Sequence, residues 1–294
     1  MTVAASPAST PLTRIWGVVR DILARPSGAL GLTLVALHLL MAILSPLLVP
    51  YDYKAISSLL MLKAPSAAHW FGTDHIGRDV LTRTLLGGRE ALLVTAIATP
   101  IAVIWGGFLG ILFGLVGGRV DDLAMRLVDA FLSLPKILFV LTAAAVFGAE
   151  PIVLIPMLGF FYGVPVIRVA RAATHDVVAR DFVTAARARG HPRLTIIRRE
   201  LLPNVRDVLM VEGAMRWSWM LLTFSSLSFL GFGVSPPTPD WGLMIKDASA
   251  TMSFAWWAVL APIVALSTLI IGINLTADAL AKALGIDRAQ KAPV

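Results

Sequence analysis

The sequence has no cysteine and few charged residues. Of its 294 residues none is Cys, and only 15% are Asp, Glu, Lys or Arg. Without cysteine the chain can form neither disulfides, nor thiolate nucleophiles, nor Cys-ligated metal sites. With 57% hydrophobic residues and a mean hydropathy of +0.80, it is too apolar for a soluble domain of this size. The composition therefore predicts an integral membrane protein.

Several catalytic and binding motifs are absent as well. The sequence contains no GxxxxGK[ST] phosphate loop, no HExxH and no GxSxG. We therefore predict no catalytic residue and no cofactor on this chain, and any ATP use belongs to a partner. His69, Asp74, His75 and Asp79 match no spacing of metal ligands, so we predict no metal site. The net charge of +7 is concentrated in one loop, which topology explains better than nucleic-acid binding.

Long apolar runs predict an all-α polytopic membrane protein with six transmembrane helices, because about 20 apolar residues cross a bilayer. The predicted spans cover residues 29–49, 91–116, 137–147 with 133–136 added at its start, 152–167, 208–232 and 254–277. Only Ala149, Glu150 and Pro151 separate the third span from the fourth. A re-entrant hairpin is the alternative at that point.

Charge asymmetry predicts the orientation of the spans. Residues 168–207 contain nine arginines against four acidic residues, so this segment is expected in the cytoplasm. An even number of spans then puts both termini in the cytoplasm, with the first span as a retained signal anchor. The predicted organisation is a cytoplasmic segment 1–28, a first transmembrane helix 29–49, an extracytoplasmic loop 50–90, a five-helix core 91–280 containing a cytoplasmic loop 171–207, and a cytoplasmic tail 281–294.

The second span carries a small residue at every fourth position. Positions four apart fall on one helix face, so another helix can approach this face closely. We predict a helix-packing interface, within the subunit or between subunits, formed by Ala98, Ala102, Gly106, Gly110, Gly114 and Gly118.

Two charges in the fifth span are also four residues apart. Glu212 and Arg216 can pair on one helix face and line a translocation pathway or a gate. An ion pair at the cytoplasmic edge of the membrane is the alternative. His38, among leucines in the first span, is interpreted as a packed or lipid-edge histidine.

The polar stretch DFVTAARARGHPRLTIIRRELLPN, residues 181–204, lies between two spans. A short helix is expected over Arg180–Arg189, with a break at Gly190 and Pro192. A second helix is expected from Arg193 to Leu202, ended by Pro203. We call this segment the knob, and its two short helices can carry the motion of a partner into the membrane. A solvated basic loop near anionic lipids is the alternative.

Three stretches together resemble one family. They are HWFGTDHIGRDVLTRTLLGGRE at 69–90, the knob with its Ala185, Ala186, Gly190, Leu202, Pro203 and Asn204, and SFLGFGVSPPTPDWGLMI at 228–245. These stretches resemble the C-type inner-membrane permease subunit of ABC importers of the dipeptide, oligopeptide and nickel class. The resemblance implies a type I ABC importer permease fold and a transport subunit that is not itself an enzyme.

The resemblance also implies partners and a location. A B-type sister permease subunit, two ABC ATPase subunits that hold ATP and Mg²⁺, and an extracytoplasmic solute-binding protein would complete the importer. The solute would be a peptide, or alternatively nickel or a nickel chelate, crossing a bacterial or archaeal cytoplasmic membrane. The ATPase-coupling segment implied by the match comprises Thr184, Ala185, Ala186, Gly190, Glu200, Leu202 and Pro203.

The chain departs from the family pattern at three positions. Thr184 stands where Glu is usual, and Glu200 stands where His is usual, so the electrostatics of docking would be its own. Phe224 replaces a frequent acidic residue, which would change the polarity of the pathway.

Trp241 follows the three prolines of PPTPDWG and is expected either at a stiff rim that meets a binding protein, in a gate, or as an interface anchor. The possible pathway or gate residues are Glu212, Arg216, Phe224 and Trp241.

Two other classes of protein fit the sequence less well. A stand-alone secondary transporter or channel would need ionisable residues at the centres of several spans. An intramembrane enzyme would need a nucleophile with a base, or a metal set. The sequence predicts neither arrangement.

Overall fold

The computed structural model describes residues 11–286, where the regular structure is helical and no strand is formed. A single turn of 3₁₀-helix occurs at Ser58–Leu60 and a π-helical turn at Ile197–Leu201. The helices are α1 (Pro11–Leu23), α2 (Pro26–Leu48), α3 (Val80–Leu86), α4 (Arg89–Val116), α5 (Gly118–Ser133), α6 (Lys136–Phe147), α7 (Pro151–Val178), α8 (Asp181–Ala188), α9 (Arg193–Ile196), α10 (Leu202–Leu230), α11 (Trp241–Ser249) and α12 (Trp256–Ala283).

Several of these helices are long and apolar enough to cross a membrane. By length and composition, four stretches of the described chain qualify, namely α2, α3 with α4, α7 and α12. The pair α5 and α6, bent by 75°, makes a fifth if it is one broken span. The 29 residues of α10 are also long enough, although polar residues such as Glu212 and Arg216 lower its hydropathy. The all-α multi-pass fold is confirmed, and six spans are consistent with it.

Two predicted segments contain more helix than expected. The fourth span was expected to end at Ile167, but α7 continues to Val178, so the polar segment begins as helix. The connection between the second and third predicted spans is mostly the helix α5. Asp121 on α5 is buried against α7, where Arg171 donates a hydrogen bond to it. This contact stabilises α5, which its polar composition did not predict.

The small residues of α4 face α7 within the same subunit. A Cβ at Gly106 would lie 2.3 Å from the Gly163 carbonyl oxygen, and one at Gly110 would lie 2.4 Å from that of Ile167. Ala98 and Ala102 are fully buried on the same face. Gly118 does not belong to this face, since it is exposed at the start of α5 with φ of +62° and no atom near its missing side chain.

The helices α2 and α12 form a second close pair. A Cβ at Gly31 would lie 2.8 Å from the Gly272 carbonyl oxygen. Next along this contact, the His38 ring nitrogens lie 2.8 Å from the Leu34 carbonyl oxygen and 2.9 Å from that of Ala265. His38 is therefore a packed histidine within hydrogen-bond distance of two backbone carbonyl oxygens.

Candidate functional site

The first half of the knob folds as a helix that glycine terminates. After α8, the Gly190 N–H donates to Arg187 O at 2.9 Å and the His191 N–H donates to Ala186 O at 3.2 Å. This pair of bonds is the Schellman arrangement, which needs a left-handed residue, and Gly190 has φ of +73°. Pro192 then directs the chain into α9.

The second half of the knob corrects the prediction that Pro203 ends a helix. α9 runs through the π-helical turn into α10 without a break, and Pro203 lies in the first turn of α10. In the wider turn the Leu202 N–H donates to Ile197 O, five residues back, so the helix continues past a residue without a donor. The knob is consequently continuous with a membrane helix.

One face of the knob is buried against the membrane core. Val183 and Leu201 are fully buried and pack with Ile111 and Leu115 of α4 and Val177 of α7. A polar contact adds to this packing, because Arg187 Nη2 donates to the Leu115 carbonyl oxygen at 3.1 Å. The knob is therefore packed against the adjacent ends of α4 and α7 and is continuous with α10.

The predicted coupling residues divide between two faces. Ala186 is buried, at 1% exposure, and belongs to the packed face. Glu200 is half-buried. The residues that face solvent are Thr184, Ala185, Gly190, Leu202 and Pro203. Within the described chain, Arg193, Arg198 and Arg199 beside them form no ion pair, so this surface is basic.

Glu212 and Arg216 pair on α10. Arg216 Nε and Nη2 lie 2.6 and 2.5 Å from Glu212 Oε1, and Glu212 is buried. From the start of α10, the two residues lie about 15 and 21 Å along the helix. The pair is thus well beyond Arg206 and Asp207, which form a separate ion pair of 3.6 Å near that start.

Trp241 is a core residue, which corrects its expected position at a rim or interface. Its side chain is fully buried, and its Nε1 donates to the Thr84 carbonyl oxygen at 2.8 Å. The indole fills a slot left by two glycines, since a Cβ at Gly87 or Gly88 would lie 2.7 or 2.4 Å from it. Phe224 is likewise buried at 1% exposure, in the core cluster that contains Trp241.

The first and third signature stretches pack against each other on the predicted outer side. Arg83 is buried, and its Nη1 donates to the carbonyl oxygens of Tyr53 and Pro237, both at 3.2 Å. Together with the bond from Trp241 to Thr84, this contact joins segments about 150 residues apart into one outer unit. The sequence pattern did not predict a structural role for Arg83. Only its position within the signature stretch at 69–90 could have indicated that role.

Three of the four residues considered as metal ligands, His69, Asp74 and Asp79, have structural partners instead. Asp79 caps α3 by accepting from the Thr82 N–H at 2.8 Å, and its other oxygen lies 2.8 Å from His69 Nδ1. Asp74 pairs with Arg78 at 2.6 Å. No group of three or more possible ligands is arranged to hold a metal within residues 11–286.

Asp240 caps α11 from a buried position. Its Oδ1 accepts from the Leu243 N–H at 3.1 Å, and its Oδ2 has no hydrogen-bond partner. Burial raises the pKa of this carboxyl to about 6, although the bond from Leu243 opposes the shift and the Glu90 charge adds to it.

Comparison with known proteins identifies this arrangement. Residues 106–286, from within α4 to beyond α12, match the family described as "Binding-protein-dependent transport system inner membrane component". The chain belongs to this family. It is therefore a transport subunit with several membrane helices, located in the inner membrane, and the resemblance found in its motifs is confirmed.

Curated relatives cover nearly the whole permease. It is 34% identical to the di/tripeptide transport system permease protein DppC of Pseudomonas aeruginosa, over 94% of this chain and 92% of the relative. It is 33% identical to the dipeptide transport system permease protein DppC of Alkalihalophilus pseudofirmus, over 86% and 84% of the two chains. The oligopeptide transport system permease protein OppC of Haemophilus influenzae is 32% identical, over 86% and 82%.

Proposed function

We propose that this permease is the C-type subunit of an ATP-driven importer that carries peptides inward across the cytoplasmic membrane. The observation that carries the proposal is similarity along 94% of the chain to a permease named for di- and tripeptide transport. Relatives named for dipeptides and oligopeptides support the same class of solute.

The energy source in this proposal is separate. The sequence lacks a phosphate-binding loop, so two ABC ATPase subunits would bind ATP and Mg²⁺. A B-type sister subunit would complete the pathway, and an extracytoplasmic binding protein would deliver the peptide. The outer unit joined by Arg83 and Trp241 is the surface that we expect the binding protein to approach.

In our proposal the knob couples ATP hydrolysis to transport. Its solvent-facing residues, including Thr184, Ala185 and Gly190, are available to a partner subunit. Its buried face packs on α4 and α7, and its chain continues into α10. A displacement of the knob by an ATPase would therefore reach three membrane helices without a flexible linker.

Uptake into proteoliposomes tests the proposal. The complex purified through this chain would be reconstituted with its binding protein outside and ATP inside, and uptake of a labelled dipeptide would be measured. We expect uptake that stops when ATP is replaced by ADP. Uptake without ATP would instead indicate a stand-alone transporter or channel, and uptake of a nickel chelate but no peptide would assign the other solute.

A further inference from the structure

On the predicted topology, the break between α5 and α6 puts a helix start and a lysine deep in the membrane region. α6 begins at Lys136, directly after Pro135, where the two helices bend by 75°. On the predicted topology the 12 residues of α6 place Lys136 about 18 Å from the outer end of that helix. A hydrocarbon core is about 30 Å thick, so Lys136 lies near mid-depth.

The ammonium group of Lys136 faces aromatic rings instead of a carboxylate. Its Nζ lies 4.6 Å from the ring centre of Tyr162 and 6.0 Å from that of Trp219. The Tyr162 hydroxyl is held 2.5 Å from Thr223 Oγ1 and 3.1 Å from the Trp219 carbonyl oxygen, which fixes the ring. Within the described residues Lys136 has no ion-pair partner.

A second cation lies close by on α10. Arg216 precedes Trp219 by three residues and so lies on the same face of α10 as the ring that Lys136 approaches. Arg216 is neutralised by Glu212, whose Oε1 accepts a hydrogen bond from its Nε and forms an ion pair with its Nη2. The cluster of Lys136, Arg216 and Glu212 therefore holds one uncompensated positive charge. A single charge at the centre of a membrane helix costs at least about 2.5 kcal/mol, so charged residues at this depth mark pathways and partners.

An apolar cavity of about 210 Å³ adjoins Lys136. Its walls come from both sides of the bend and from α7, and three of them are phenylalanines. The residues that line it with Lys136 include Phe131, Leu132, Leu134, Phe139, Phe161 and Val164. An anion held by Lys136 would thus have an apolar compartment beside it.

We propose that Lys136, supported by Arg216 and the N-terminus of α6, binds the carboxylate of the solute halfway through the membrane, while the apolar cavity receives a neighbouring side chain of that solute. The inference rests on the proposed peptide transport and names the group recognised, a free C-terminal carboxylate. Cationic side chains and the positive end of a helix dipole both favour an anion here. The exposed Trp219 leaves the cluster open on one side of the subunit.

Paired substrates test the proposal in the reconstituted complex. Uptake of a labelled dipeptide and of its C-terminal amide would be compared in the native protein, Lys136→Met and Lys136→Arg. We expect Lys136→Met to reduce the preference for the carboxylate form by about tenfold, as for loss of one hydrogen bond to a charged group. Lys136→Arg should retain the preference. Lys282→Met, which removes a lysine paired with Asp278 at the end of α12, is the matched control.

The binding protein is the same in every arm, so a change in the ratio of the two uptake rates reports on the permease. Equilibrium binding of both dipeptides to the solubilised complex without the binding protein gives an independent ratio. An unchanged ratio in Lys136→Met overturns the site. If Lys136→Met loses the sister subunit on purification and the ratio is unchanged, the proposed solute site is wrong. Lys136 would then pair with a carboxylate on that subunit. Absence of uptake of either dipeptide by the native complex overturns the peptide assignment itself.

Discussion

At the scale of single residues, the contact between α4 and α7 depends on glycines whose missing side chains have no space. A Cβ at Gly106 would lie 2.3 Å from a backbone oxygen, which cannot move without separating the helices. The neighbouring Gly107 differs, because the nearest atom to its Cβ would be the end of the Leu209 side chain at 3.1 Å.

We expect Gly106→Ala to destabilise the permease by about 1–3 kcal/mol, the usual cost of overpacking, and to lower its melting temperature in detergent. Gly107→Ala is the control, because Leu209 can shift to accept a methyl group. Equal melting temperatures for the two variants would show that α4 and α7 are not in this close contact.

The Asp240 carboxyl predicts a pH dependence of stability. Its pKa of about 6 in the folded protein exceeds its value in the unfolded chain, so folding takes up a proton. Its contribution to stability is therefore greatest at low pH and is lost as the pH rises to about 6. Asp240→Asn can keep the cap on Leu243. Its stability relative to the native protein should therefore be higher at pH 7.5 than at pH 5. Thermal unfolding at both pH values measures this, with the exposed Asp52→Asn as control.

At the scale of elements, the two faces of α8 are expected to serve different purposes, one in folding and the other in docking. Ala185 is exposed and Ala186 is buried, although they are adjacent in the sequence. We expect Ala186→Asp to lower the melting temperature by placing a charge against α4 and α7. We expect Ala185→Asp to leave the melting temperature unchanged but to reduce recovery of the ATPase subunits on co-purification. If Ala185→Asp kept the ATPase subunits and peptide-stimulated ATP hydrolysis, the docking proposal would be wrong.

The knob also shows which parts of an element a sequence can predict. Gly190 and Pro192 are local signals, and they located the end of α8 and the start of α9 correctly. Pro203 is ambiguous, because proline both interrupts helices and occupies their first turn. The π-helical turn before Pro203 allows it to occupy the first turn of α10, and no residue pattern predicts such a turn. Similarly, α5 was missed because its stabilising partner, Arg171, lies 50 residues from Asp121.

At the scale of the whole molecule, three helices connect two polar regions. The outer unit is joined by Arg83 and Trp241, and the knob packs at the other ends of α4, α7 and α10. Periodicity and motifs predicted the membrane helices and the knob, because each is a local pattern. The burial of Trp241 and the environment of Lys136 depend on which helices meet, so the sequence could not predict them.

The orientation of these regions can be measured directly because the chain has no cysteine. Single cysteines replacing the exposed Leu59, in the predicted outer loop, and Ala185, in the knob, would be the only thiols of the subunit. We expect a membrane-impermeant maleimide to label Leu59→Cys in cells with an intact inner membrane. Ala185→Cys should react only after that membrane is permeabilised, since the arginine-rich segment is predicted to be cytoplasmic. The native chain is the blank, and the reverse pattern of labelling would invert the topology and move the knob out of reach of any cytoplasmic ATPase.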